Sequence, residues 1–140
     1  MADEMGCGMT LTHQPVGGGS ETQIFLITDL SWSNLTNDII DITTQDSGAY
    51  KEFEAACHTD PGEVTLEGLY DSDVDPLALI EDPKKLFTLK MPLKTGETTP
   101  VTFSGNGIFQ SNDITVPYND KMTRSITIKW AGAITFTAAT

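Results

Sequence analysis

The 140 residues contain twenty acidic and eight basic side chains, a formal net charge of −12, with 39% hydrophobic content. That is enough apolar material for one core and too little for two comfortable ones, and the negative charge repels a phosphate backbone, which argues against a DNA-gripping surface. The opening MADEMGCGMT is acidic where a secretory signal would be basic, and no apolar run reaches membrane-spanning length, so an unexported, soluble chain with no membrane partner is expected. Only Cys7 and Cys57 are present, far apart, and two free thiols are expected rather than a disulfide framework. The sequon at Asn34, Leu35 and Thr36 then carries no meaning, because glycosylation requires export.

GCGMTLTH reads as a first strand, and QPVGGGSETQ, with three consecutive glycines, as a turn or flexible loop. GGGS lacks the lysine of a phosphate-cradling loop. IFLITDL, Ile24 to Leu30, is a short apolar run suited to a buried strand, and IIDIT, around Ile39 to Thr43, reads as the next. AYKEFEAAC breaks the pattern: Tyr50, Phe53 and Cys57 recur at helical spacing, so a helix of two or three turns is expected, capped by Asp46 or Ser47. A helix that short is marginal alone, so Tyr50 and Phe53 must dock on something, either the chain's own sheet or another subunit.

EVTLEGLY returns to two-residue alternation, Val64 and Leu66 against Thr65 and Glu67, and should be half-buried. DPLALIED should form a turn or two of helix opened by Pro76 and closed before Pro83. KLFTLKM, Lys85 to Met91, reads as a strand. VTFSGNGIFQ reads as a long bent strand whose Gly105 and Gly107 mark a bulge or close backbone approach. RSITIKWAGAITFT alternates through Trp130 and is expected to break at Gly132. The fold class is therefore mainly β, an antiparallel sandwich or barrel with short helical decoration.

No catalytic constellation emerges. Asp71, Asp73 and Asp75 have the spacing of the first calcium ligands of a helix-loop-helix site, with Asp82 at the twelfth position. Pro76, however, stands where a glycine must make the turn, so an acidic loop is expected and no metal. Glu63 with Glu67, or Glu52 with Glu54, could be written as hydrolytic pairs, but among twenty acids such pairs arise by chance. His13 and His58 lack metal spacing with either cysteine, and Cys57 beside His58 is adjacency in sequence alone. Trp32 and Trp130 could stack a sugar, although tryptophans in alternating strands are more often core or interface.

The order of segments resembles a known family. DIIDITTQDSGAYKEFEAACHTDPGEVTLEGLYDSD is similar to the major tail tube proteins of long flexible-tailed phages, in which an I-D-x-T-x-x-D-S-x-x-x-[KR]-E-F helix precedes a G-E-V-[TS]-[LF]-E strand and a Y-D acidic loop. The matching positions are Ile40, Asp41, Thr43, Asp46, Ser47, Lys51, Glu52, Phe53, Gly62, Glu63, Val64, Thr65, Leu66, Glu67, Tyr70 and Asp71. The segment from Val101 to Thr137 resembles the family's closing strands, and the likeness runs from about Ile24 to Thr137. It departs at the Met-, Gly- and Cys-rich N-terminus, at Ala49 and at Asp60-Pro61.

The resemblance implies a single tail tube domain over residues 1–140, with an N-terminal strand and loop region over 1–22 and a helix-bearing arm over 44–62. It implies a non-enzymatic virion protein without cofactor, made in the host bacterial cytoplasm, whose hexameric rings stack into a hollow conduit for genome ejection. Its partners would be copies of itself and the initiator or distal tail, tape measure and terminator proteins, with double-stranded DNA passing through unbound. Asp46, Ser47, Tyr50, Lys51 and Phe53 are the expected subunit or ring contacts, and Glu63 and Glu67 are candidates to face the lumen. A carbohydrate- or surface-binding sandwich using Trp32 or Trp130, with or without calcium, is the alternative.

Overall fold

The computed structural model describes residues 8–24 and 26–140. Cys7 and Phe25 lie outside the described residues, as does the start of the N-terminal region. Nine strands and one short helix are described: β1 (Thr10–Pro15), β2 (Thr22–Gln23), β3 (Ile27–Ser33), β4 (Thr36–Asp41), β5 (Phe53–Asp60), β6 (Glu63–Leu69), α1 (Pro76–Glu81), β7 (Lys84–Lys90), β8 (Thr102–Thr115) and β9 (Thr123–Thr137). Seven strands form one antiparallel sheet in the order β2-β1-β7-β8-β9-β6-β3, curled into a half-barrel, while β4 and β5 pair only with each other. The expected antiparallel, barrel-like β fold with a short helix is observed.

The core lies on one face of the sheet, as strict alternation requires. Leu11, Val64, Leu66, Phe87, Leu89, Phe109, Ile126, Ile128 and Trp130 are buried together. Edge-to-face aromatic contacts join Phe87 to Phe109 at 5.0 Å and to Trp130 at 6.4 Å. Gly107 is present because of this cluster: a Cβ there would lie 2.7 Å from the Phe87 ring. The β8–β9 register shifts opposite Gly105 and Gly107, where the extra residues belong to β9, and again at Gln110, the residue that bulges from β8 itself.

Three expectations are corrected. The helix expected over Tyr50 to Cys57 is absent: Phe53–Asp60 is strand β5, paired in register with β4, and the only helical piece of the arm is a single 3₁₀ turn, Gln45–Ser47. Backbone pairing across the hairpin satisfies every second amide, whereas so short a helix must bear a nucleation cost without a partner face. IFLITDL does not form a buried strand: Ile24 is buried, but β3 begins at Ile27 and is the sheet's edge, with Asp29, Ser31 and Ser33 exposed. β9 does not end at Gly132, but its pairing is interrupted there: Ala131, Gly132 and Ala133 face the single residue Asn106, with Gly132 at φ +151°, so the expected break takes the form of a bulge within the strand. The helix expected between Pro76 and Pro83 forms as α1, with Asp75 capping Leu77 N at 3.0 Å.

Candidate functional site

The β4–β5 hairpin is an arm that leaves the sheet between β3 and β6. Its tip, residues 42–52, is closed by Ile42 N donating to Glu52 O at 3.0 Å and by Thr43 Oγ1 bridging to the Glu52 backbone. Thr44 caps the 3₁₀ turn, with Ser47 Oγ accepting from Thr44 N at 3.0 Å and donating to the Glu52 carboxylate at 3.1 Å. At its root, Trp32 Nε1 donates to Pro61 O at 2.7 Å, and the Asp60 carboxylate accepts from Gly62 N and Lys129 Nζ, both at 2.9 Å. Gly62 turns the chain there with φ +85°, and any Cβ would strike the Ser33 carbonyl.

Both faces of this ribbon are open. Every residue of β4 is exposed, and one face carries Ile39 (64% exposed) and Phe53 (51%) while Ile40 lies on the other. Tyr50, 84% exposed, stands at the tip beside Lys51. A lone two-stranded ribbon is marginal in water. Asp46, Ser47, Tyr50, Lys51 and Phe53 are thus brought together on the arm's distal half, as a loop and strand start rather than one helix face. Sequence reasoning missed Ile39 and Ile40 as surface residues, because an isoleucine pair in a β-prone run carries the same signal in a core. The polar bracket Thr36-Asn37-Asp38 was the only local hint.

Between the arm's root and the far end of the β8–β9 hairpin lies an apolar cleft of about 350 Å³, lined by Trp32, Leu35, Pro61, Phe103, Ile134 and Phe136. Trp32 meets Phe103 edge-on at 5.1 Å and Trp130 at 5.9 Å. Trp130 is buried and unavailable for stacking, whereas Trp32 is half-buried and lines the cleft.

Charge is unevenly placed. Residues 36–60 hold six carboxylates and one lysine, and residues 71–82 hold five carboxylates and no base, so these two stretches carry −10 of the net −12. Glu63 and Glu67 lie on the sheet face opposite the core, where rows of hydroxyls such as Ser31, Thr65, Thr127 and Ser111 cross the strands. That face holds Asp29, Glu63, Glu67 and Asp113 against Lys84, Lys90 and Lys129, a net of only −1. Glu63 accepts from Asn34 Nδ2 at 3.1 Å.

The acidic loop is turned onto itself. Asp71 accepts from Asp73 N, Asp75 caps α1, and Asp82 pairs with Lys85 at 2.9 Å. Among the described residues no group of three His, Cys, Asp or Glu side chains could hold a metal ion. His13 is packed against Phe87 and Phe109, and burial, aided by Lys85, holds its pKa below the usual imidazole value. His58 and Cys57 lie on exposed β5. No described helix is long and apolar enough to cross a membrane.

No protein-family model matches the chain, and no curated protein matches it in sequence. Solved structures do match. The tail of an empty gene transfer agent particle, refined with C6 symmetry, superposes with TM-score 0.73 over 97% of this chain and 100% of that one at 18% identity. The SPP1 tail tube gives TM-score 0.70 over 96% and 78% at 11% identity, and a chain of the six-fold symmetrised anti-feeding prophage baseplate gives 0.70 over 93% and 92% at 11% identity. At such identities the shared property is the fold, and the fold of this chain is the one found in these tail and tail tube structures.

Proposed function

We propose that the chain is a tail tube subunit: a non-enzymatic structural protein, one tube domain over residues 1–140, that closes into hexameric rings stacking into a hollow conduit for a DNA genome. The observation that carries this is the arm, whose Ile39, Ile40, Tyr50 and Phe53 are exposed and stand outside the hydrophobic core cluster of the described residues. A ribbon of this kind is stabilised when a neighbour covers it. The sheet edges support the same reading. β3 has no strand partner on its outer side among the described residues, and β2 covers only Thr12 and His13 of β1. Open edges are managed by pairing, and head-to-tail contacts that close by rotation form rings.

In this reading Asp46, Ser47, Tyr50, Lys51 and Phe53 contact an adjacent subunit or ring. The hydroxyl-rich face with Glu63 and Glu67 lines the channel, where few cationic groups are available to hold phosphates and Lys129 is neutralised by Asp60. The site of action is the phage tail after synthesis in the host cytoplasm, with initiator, tape measure and terminator proteins as further partners. Electron microscopy of the concentrated purified protein tests the proposal: stacked rings of six with a central channel are expected. A chain that stays monomeric under every assembly condition, or particles without a channel, rejects it.

A further inference from the structure

The β8–β9 hairpin is longer than the strands beside it, and its excess is placed diagonally. β7 accompanies β8 only from Thr102 to Ile108, and the last bond on that side runs from Phe109 N to Pro83 O at 3.0 Å. β6 accompanies β9 only from Thr123 to Lys129, and the last bond there runs from Trp130 N to Gly62 O at 3.2 Å. Among the described residues, the outer edge of β8 therefore has no strand partner over residues 110–115 at one end of the sheet, and the outer edge of β9 has none over residues 131–137 at the other. Each overhang is about 20 Å long. Beyond the bulge at Gly132, Ile134–Thr137 hold neither a charge nor a proline, the residues that ordinarily protect an open edge.

The two overhangs fit each other in side, direction and face. The open edge of β9 looks toward the β6 side of the sheet and that of β8 toward the β7 side, and the two strands are antiparallel. A second copy moved along the strands, and across by two strand spacings or about 10 Å, sets its β8 overhang beside the β9 overhang of the first in antiparallel order. Phe136 and Ile114 stand opposite Phe103 and Arg124, so both lie on the core face, and both are exposed. Val116, two residues beyond Ile114, is 68% exposed. Ile134 and Phe136 form one wall of the apolar cleft at the arm's root, directly beside the open edge of β9.

We propose that residues 110–115 of one copy pair with the β9 overhang of a copy in the adjacent ring, chiefly Ile134–Thr137, carrying the sheet from ring to ring and placing Ile114 and Val116 in the apolar cleft. This rests on the tube reading above: in rings closed through the β3 and β1–β2 edges the strands run up the conduit wall, and what projects beyond the sheet's common length meets the next ring. Such a contact joins two different surfaces and does not close on itself, so its repetition builds a filament.

The test is cross-linking within assembled tubes. Asp113, Thr115, Thr135 and Thr137 are exposed and lie on the polar face of the overhangs. Chains with Cys7→Ser and Cys57→Ser receive one new cysteine on each overhang, Asp113→Cys or Thr115→Cys combined with Thr135→Cys or Thr137→Cys; residues facing each other across paired strands lie about 4.5–5.5 Å apart, within reach of a disulfide. Oxidised tubes of at least one combination should give a denaturing-gel ladder that runs past six subunits, while chains with a single new cysteine should give nothing beyond a dimer. Val116→Lys should keep the wild-type melting curve and six-membered rings and yield at least tenfold less sedimentable tube. Tubes in which no combination gives a ladder, a ladder that stops at six and so places the contact within one ring, or Val116→Lys rings that stack like wild type each overturn the inference and leave the tube reading intact. Wild-type protein that forms no tube removes both.

Discussion

Removing the two aromatic side chains of the arm separates its role in folding from its role in assembly. Tyr50→Ala with Phe53→Ala deletes side chains that are 84% and 51% exposed in the isolated chain, so the packing lost from the folded monomer is limited and falls mostly at Phe53. Aromatic side chains bury about 150–250 Å² when fully covered, so these two hold roughly 270 Å² still available to a neighbour. At about 25 cal/mol per Å² that area corresponds to about 6–7 kcal/mol. Ordering losses and incomplete coverage reduce it, and realising half would leave about 3 kcal/mol per contact. Since 1.4 kcal/mol is tenfold, the critical concentration for tube formation should rise by about two orders of magnitude. Sedimentation across a concentration series measures this, with circular dichroism melting as the control for folding. An unchanged critical concentration refutes the reasoning, as does a melting temperature that falls by many degrees, which would place these side chains in the fold instead of the interface.

Two further outcomes concern the sheet. Because burial keeps the folded pKa of His13 below its unfolded value, the unfolded chain takes up the proton first; stability should be intact above about pH 6.5 and should fall as pH drops from there toward the folded pKa. A melting series between pH 7.5 and 5 should show this loss for wild type and a weaker one for His13→Gln, while equal slopes would remove His13 as the cause. Gly107→Ala places a Cβ against the Phe87 ring, and overpacking of this kind costs about 1–3 kcal/mol, so the melting temperature should drop by several degrees. A neutral result would mean that the ring has room to shift.

The sequence's periodicity determined most of the sheet, because a strand that buries one face must alternate. Val64 and Leu66 on β6, Phe87 and Leu89 on β7, and Ile126 through Trp130 on β9 are buried as their spacing requires. The acidic loop was equally legible as a non-site, since Pro76 cannot make the turn a calcium loop needs and instead opens α1. What composition could not determine was the fate of segments whose local preference is weak. AYKEFEAAC has helical spacing, yet strand pairing with Ile39, Ile40 and Asp41 fixes it as β5, because a hairpin partner was available and a helix-docking surface was not. Whether an apolar strand lies in the core or on an edge is likewise decided by its neighbours. IFLITDL and IIDIT look alike in sequence, but one becomes the sheet's border and the other an arm clear of it. The distribution of charge followed the same division: the total of −12 is a property of the chain, whereas its concentration on the arm and the helix loop, leaving the polar sheet face near neutral, exists only once strands are placed side by side.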